Sequence, residues 1–431
     1  MRISRRFPVF DTEGLKHRLL YWARKHEEVL WLDSNDYTEQ YSSFDAVLAV
    51  DAFTAIKTDS ENAFNKLSEY QQTTKDWLFG YLSYDLKNDT EPLSSANYDG
   101  LDFPDLYFFQ PRKLFILRGK ELELQYLRMV EDEMDSDLEE IQNIPTIKES
   151  ARKNNGVIIK RRLHKDQYLQ KVRELLKHIY RGDIYEANFC QEFYSEDTTI
   201  DALETFLHLN SISTPPFATY LKLGHLYLLS ASPERYLKKE GNRVVSQPIK
   251  GTAARSADPT EDKLLKDTLA QDPKERSENI MITDLVRNDL SRTAGKGSVK
   301  VEELCKVYTF KQVHQMISTV TSRVNQSLPL SKLLKTTFPM GSMTGAPKIS
   351  AMKLIEELEV TKRSLYSGAV GYFTPDNNFD FNVVIRSILY NHEKQYVSFS
   401  VGSAITALSL PEKEYEECLV KARAMKEVLE S

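Results

Sequence analysis

A chain of 431 residues, 41% hydrophobic and 28% charged, can hold two or three average domains or one large interlocked one, and its composition is that of an ordinary water-soluble protein. A formal net charge of −6 gives no electrostatic reason to expect nucleic acid or an anionic membrane as a partner. The three cysteines, Cys190, Cys305 and Cys418, lie far apart with no Cys-x-x-Cys pair, which excludes a disulfide scaffold or zinc cluster and points to a reducing compartment. Arg2, Arg5 and Arg6 are not followed by an apolar h-region, and no apolar run nears the ~18 residues of a membrane helix, so a cytoplasmic protein is expected.

In chain order, residues 47–53 and 77–84 are predicted strands, rich in aromatic and apolar side chains, and 114–127 a hairpin turning at Arg118-Gly119-Lys120. Tyr84 and Asp85 read as a packed strand end. The acidic run 131–140 opens a polar stretch, and 129–156 is expected to be a linker. Tyr168, Val172, Leu175, Leu176 and Ile179 mark an amphipathic helix that stops at Gly182. Strands follow at 184–194, 219–229 and 243–246, with Gly224 and Gly241-Asn242 as turns. Beyond a helix starting at Asp272 come the stretches 300–309, 311–324, which contains His314, and 330–337. A glycine-bearing loop, 341–348, leads into a helix with Ile349, Met352, Ile355 and Leu358 on one face. Residues 370–374, 379–390 and 395–405 read as consecutive antiparallel strands. The last element is a helix with a Ser409/Glu412 capping box and a stripe of Tyr415, Cys418, Leu419, Ala422, Met425 and Leu429. Strands interspersed with helices, without strict alternation, predict an α+β fold.

Several stretches carry groups with chemical potential. Asp272 and Pro273 start a helix on which Glu275, Glu278, Ile282 and Leu285 fall at i, i+3, i+7 and i+10, so two carboxylates continue an apolar stripe. Like charges at that spacing repel by about 0.2–0.5 kcal/mol unless a cation lies between them. Lys274 and Arg276 are the ordinary answer. The last helix repeats the pattern with Glu414 and Glu417, and two such pairs could hold one hard divalent cation, although taken alone a Glu417–Lys421 surface pair is the simpler account of the second. The loop 341–348 lacks Walker spacing, but a turn entering a helix N-terminus suits an anion such as a carboxylate. Lys250, in a constrained turn after a strand, could be a nucleophile if burial lowered its pKa toward neutrality. Glu234, at a strand end in Ser232-Pro233-Glu234-Arg235, is a candidate general acid or base. Arg386 should meet a carboxylate, from the protein or from a ligand.

Together, Gly182-Asp183-Ile184-Tyr185, Ser232-Pro233-Glu234-Arg235, Pro248-Ile249-Lys250-Gly251-Thr252, Glu278-Asn279 through Asp289, Gly345-Ala346-Pro347-Lys348, Tyr366-Ser367-Gly368-Ala369-Val370-Gly371 and Glu414-Tyr415-Glu416-Glu417 resemble the chorismate-utilising enzymes in order and spacing. The resemblance implies an α+β sandwich of two intertwined β-sheets with helices outside and the site in a cleft. It runs from about 157 to 431, the chorismate-binding catalytic region, with 1–128 matching a variable N-terminal region of the same fold. It implies Mg2+ as cofactor, bound directly by Glu278 and Glu417 and through water by Glu275 and Glu414, and holding the ring carboxylate of chorismate. It places Tyr366, Arg386 and backbone near Gly402 at the enolpyruvyl carboxylate, with Thr252, Ser342, Gly345 and Lys421 as further substrate contacts. His314 would lie near the ring and Glu234 would be a general acid/base.

Lys250 resembles the aminodeoxychorismate synthase branch, since anthranilate synthases carry alanine there. Isochorismate and salicylate synthases place a base lysine at or close to the position of Glu186. The implied reaction is attack by Lys250 on the ring as the 4-hydroxyl leaves, then displacement by ammonia to give 4-amino-4-deoxychorismate for 4-aminobenzoate and folate synthesis. No Gly-x-Cys-x-Gly elbow is present, so ammonia is expected from a separate glutamine amidotransferase subunit. The alternatives are an anthranilate synthase large subunit and a non-catalytic chorismate-binding paralogue. Residues 213–217 match a region that binds tryptophan in relatives, whereas Ser403, Ala404 and Leu408 depart from the usual pattern.

Overall fold

One strand, Leu106–Arg118, organises the sheet. The computed structural model describes residues 2–37, 41, 43–145, 156–311 and 313–431. Nearly every side chain of Leu106–Arg118 is apolar or buried, so both faces and both edges are used. Ala46–Thr58 pairs along one whole edge, from Ala46 opposite Leu117 to Thr58 opposite Leu106. The other edge is shared by Leu78–Leu82 and, through the hairpin at Gly119-Lys120, by Glu121–Leu127.

Two antiparallel arms leave this strand. The first runs from Ala46–Thr58 through Glu28–Asp33, Phe217–Leu223, Leu226–Ser232, Ser387–Asn391 and Tyr396–Thr406 to Glu186–Ser195. The second runs from Leu78–Leu82 through Ala369–Phe373, Phe379–Val383, Arg235–Glu240 and Arg243–Gln247 to Val313–Arg323, which Ile249–Ala254 and Lys300–Thr309 flank. Residues alternate between two hydrophobic cores, as a pleated strand requires. Ala46, Leu48 and Val50 enter the core shared with the helices Thr12–Ala23, Lys165–Arg181, Ala202–Ser213 and Pro411–Glu430. Val47 and Ala49 enter the other core, which takes Ile282, Val286 and Leu290 of the helix Pro273–Ser291. The expected α+β architecture with outer helices is therefore present, and among the described residues the two arms are continuous through Leu106–Arg118 as one hydrogen-bonded sheet. Among the described residues no helix is long and apolar enough to cross a membrane, and all three cysteines are buried thiols.

Four local expectations need correction. The acidic stretch holds a short 3-10 segment, Arg128–Glu133, and a helix, Met134–Asn143, where a linker was expected. Met134, Leu138 and Ile141 fall at i, i+4 and i+7 and pack into the first core, which outweighs the acidic composition around them. Residues 146–155 of the expected linker lie outside the described residues. The run 379–390 divides into Phe379–Val383 and Ser387–Asn391, one in each arm, with Arg386 at φ 50° in the break. The Ser409/Glu412 capping box is not made: the Ser409 hydroxyl accepts from the Thr406 N–H and donates to the Ala404 carbonyl, while Glu412 pairs with Arg173. Ile349 is exposed, and Ala351, Met352, Leu354 and Ile355 form the buried face of the helix Lys348–Leu358.

Candidate active site

The chain passes from the first arm to the second at Pro233-Glu234 and returns at Val384–Arg386. These crossings lie side by side: the Val383 N–H donates to the Glu234 carbonyl at 3.0 Å and the Ala231 N–H to the Arg386 carbonyl at 3.1 Å. The topology thereby fixes a carboxylate and a guanidinium at one place, as ligand sites at sheet switch points require. Glu234 is buried, and the Ser342 hydroxyl donates to its Oε1 at 2.6 Å. Burial pushes its carboxyl up to about 7, against the Ser342 hydrogen bond and the charges of Lys250 and Arg386. Arg386 has no side-chain hydrogen bond or ion pair among the described residues, and burial lowers its pKa against the attraction of Glu234. Of the two partners expected for it, a protein carboxylate is not in contact.

The far ends of the two arms also meet. Glu186 opens the last strand of the first arm, and Lys250 lies in Ile249–Ala254 at the end of the second. Lys250 Nζ donates to Glu186 Oε1 at 2.9 Å, with the two side chains 11% and 1% exposed. Burial does act to lower the Lys250 pKa, as the sequence suggests, but Glu186, then Glu278 and Glu234, outweigh it and hold the amine above its ordinary value. The resting lysine is an ammonium. Gly251 follows at φ 92°, and a Cβ there would lie 3.0 Å from Glu275 Oε2, so glycine lets this strand approach the acidic helix.

That helix starts as its sequence predicts, with the Asp272 carboxylate accepting from the N–H groups of Lys274 and Glu275 and Pro273 in the first turn. Glu278, and Glu414 of the terminal helix Pro411–Glu430, are buried. Between them lies the Lys274 ammonium, 3.2 Å from Glu414 Oε1 and 3.8 Å from Glu278 Oε1. This lysine is the cation that gathers the two helices' carboxylates. Glu278 Oε1 and Glu414 Oε2 are buried without a hydrogen-bond partner. Burial pushes Glu278 up to about 7, opposed by Lys250 and reinforced by Glu186. Glu275 is raised too, again chiefly by burial. Glu417 is more exposed and pairs with Lys421 at 2.7 Å, while Lys421 also donates to the Gly402 carbonyl at 2.9 Å. Burial pulls the Glu417 pKa up, but Lys421 prevails and holds it below the ordinary range.

Among the described residues no three His, Cys, Asp or Glu side chains converge as a ready-made metal site. The chemistry nonetheless fits a hard divalent cation: the donors are all carboxylate oxygens, and two of them are buried and unsatisfied. Loading such a site requires Lys274 and Lys421 to give way.

The remaining predicted residues are spread more widely. Tyr366 is buried with its hydroxyl 4.0 Å from Cys190 Sγ, and burial raises it well above the ordinary tyrosine range. Gly345 and Gly402 are packing necessities, since a Cβ on either would lie 2.1 Å from the Glu186 carbonyl oxygen or 2.6 Å from Cys190 Sγ. Thr252 is exposed. His314 is buried between Asp262, 3.0 Å from Nε2, and Thr309, 3.1 Å from Nδ1, and makes no hydrogen bond to Lys250, Glu234 or the glutamates. Pro216 and Phe217 line a separate cavity with Leu32, Asp33, Tyr372 and Asp380. Tyr84 packs under Arg363, 4.5 Å away, in agreement with a structural role. Sequence reasoning missed Glu186 as the partner of Lys250, and also Asp289, which anchors the Lys348 ammonium at 2.5 Å and ties the 341–348 loop to the acidic helix. Asp289 lies one turn beyond Val286 on the buried face, which is a readable signal.

The sequence profile described as chorismate binding enzyme matches residues 21–427. Aminodeoxychorismate synthase component 1 of Escherichia coli (strain K12) is 39% identical over 266 residues, 62% of this chain and 58% of that protein. Anthranilate synthase component 1 of Thermus thermophilus is 34% identical over 363 residues, 82% of this chain and 77% of that protein. The crystal structure of anthranilate synthase component I from Streptococcus pneumoniae TIGR4 superposes with a TM-score of 0.79 at 24% identity, covering 90% of this chain and 94% of that one. The chain thus spans less than two thirds of the length of the aminodeoxychorismate synthases it matches, 32% for a rice relative.

Proposed function

The chain belongs to the chorismate binding enzymes, and on that premise we propose that it aminates chorismate at C4, giving 4-amino-4-deoxychorismate from chorismate and ammonia. The observation that carries this reading is Lys250, a buried amine at the meeting of the two arms, 2.9 Å from a carboxylate. An amine in such a place, freed of a proton, is a nucleophile. Its nitrogen forms a bond to the ring, the ring electrons shift, and the C4–O bond breaks. Glu234, whose carboxyl sits near 7, supplies the proton that lets the oxygen leave as water. Ammonia then forms the C4–N bond and Lys250 departs with its own electron pair.

Arg386, unpaired among the described residues, and Tyr366 are assigned to the enolpyruvyl carboxylate. Glu278 and Glu417 would hold Mg2+, with Glu275 and Glu414 in support, and the ion when bound supplies positive charge for the ring carboxylate. Ser342 orients Glu234, and Lys421 steadies the Gly402 carbonyl. Thr252 and Gly345 belong to the walls of the site, and His314 is held by Asp262 for a role near the ring. The ammonia donor is a separate glutamine amidotransferase subunit, and the product leads toward 4-aminobenzoate and folate in the cytoplasm.

The decisive test incubates the protein with chorismate, Mg2+ and ammonium. Product that yields 4-aminobenzoate only after a lyase is added supports the reading. Direct appearance of fluorescent anthranilate favours the second reading, which the longer alignment to the Thermus thermophilus relative supports. No turnover of chorismate at all, with binding retained, favours a non-catalytic paralogue.

A further inference from the structure

An ammonium has no lone pair, so a nucleophilic Lys250 must first lose a proton to a group it already touches. Among the described residues Glu186 is the sole hydrogen-bond acceptor of Lys250 Nζ, at 2.9 Å. Glu278 and Glu234 face Lys250 and act on its charge through space, but neither hydrogen-bonds to it. Glu186 is 1% exposed, and its second oxygen, Oε2, has no hydrogen-bond partner. The large majority of buried polar side-chain atoms are hydrogen-bonded, so this unpartnered oxygen, beside one bound to the nucleophile's ammonium, calls for an explanation. The strand that carries it pairs on one side with Gly345-Ala346 and on the other with Ile405 and Thr406, so its position is rigid.

We propose that Glu186 is the proton store of the nucleophile, holding Lys250 as an ammonium in the resting protein and taking one proton from it as chorismate closes the site. The inference rests on Lys250 being the nucleophile. In the transfer the N–H bond breaks and its electron pair stays on Nζ, while a lone pair of Glu186 Oε1 forms the new O–H bond. The pair changes from ammonium and carboxylate to amine and carboxylic acid with no net change of charge. Expulsion of water by the substrate favours that neutral form, because a dry site penalises ions more than neutral partners. When ammonia displaces the lysine, Nζ leaves with its electron pair and takes the proton back from Glu186. Glu234 gives one proton to the departing hydroxyl and regains one from the new C4 ammonium, so chorismate and ammonia become aminodeoxychorismate and water with both carboxyl groups restored.

The test compares wild type with Glu186→Gln, Glu186→Asp and Lys250→Ala, after thermal melts establish that each is folded. One readout is the rate at which Lys250 of the substrate-free protein is acetylated by acetic anhydride at pH 8, relative to exposed lysines, followed by mass spectrometry. The other is steady-state turnover of chorismate with Mg2+ and ammonium. Glu186→Gln should raise Lys250 acetylation at least about ten-fold, because the counter-charge is gone. It should lower kcat by about 10²-fold, the usual worth of a positioned base, with KM within about two-fold. Glu186→Asp should recover at least about ten-fold of that kcat. Unchanged acetylation in Glu186→Gln overturns the proposal, as does a kcat within about three-fold of wild type. Should Glu186→Gln fail to fold, a Glu186→Asp protein whose kcat and acetylation both match wild type overturns it, and an intermediate kcat with raised acetylation supports it. Wild-type turnover by Lys250→Ala would instead reject Lys250 as nucleophile, and the acetylation result remains readable without any turnover.

Discussion

Single charges decide what this site can do. The Glu234 carboxyl sits at about 7 in the folded protein against 4.5 ordinarily, so the folded state holds its proton more tightly than the unfolded chain. Its contribution to stability is complete below about pH 4.5 and is lost as pH rises through about 7. Thermal melts of the protein should fall across that window, and Glu234→Gln should flatten the fall; a variant with the wild-type slope would contradict the assignment. The proposed role of Glu234 as proton donor also predicts a kcat/KM that declines above about pH 7. Lys274 supports a different expectation. Lys274→Met removes the ammonium that gathers Glu414 and Glu278, so the metal-free protein should melt lower, by on the order of 1 kcal/mol given its partial exposure, and gain more from added Mg2+ than wild type does. An equal Mg2+-induced shift in both proteins would remove these glutamates from the metal site.

At the scale of elements, the legible parts of the chain are those with local causes. The helix from Asp272 and the stop at Gly182 came from capping chemistry, and both stand where the spacing predicts. The helix Met134–Asn143 was hidden because three apolar positions decide its packing while its acidic neighbours dominate the composition. The break at Val384–Arg386 was hidden for another reason: both halves are apolar strands, and only the change of arm between them forces the turn. The 341–348 loop shows how tightly elements are fitted. Gly345 lies at φ 150° with the Glu186 carbonyl oxygen 2.1 Å from where a Cβ would stand. Gly345→Ala should therefore cost on the order of 3 kcal/mol in thermal or denaturant unfolding, and reduce turnover further by shifting the strand that carries Glu186. A near-neutral Gly345→Ala would show that this contact relaxes freely.

Across the whole molecule, the site is a product of topology more than of any one motif. Glu234 and Arg386 stand where the chain changes arms, and Lys250 and Glu186 stand where the arms' far ends meet, 64 residues apart in sequence. The paired glutamates of two helices were readable as half-sites, and the cation between them was the question they raised. Lys274, within four residues of Glu278, answers it in the resting protein. Glu186 was not readable as the partner of Lys250, because nothing local joins them until both arms are built. The central claim is that this arrangement uses Lys250 as the ring nucleophile, whose displacement accompanies formation of the C4–N bond by ammonia. Its most direct measurement is the product formed from chorismate, ammonium and Mg2+ by wild type and by Lys250→Ala. The account predicts that wild type makes 4-amino-4-deoxychorismate and that Lys250→Ala loses about 10³-fold or more of that rate. Anthranilate from wild type, or undiminished aminodeoxychorismate from Lys250→Ala, would contradict it.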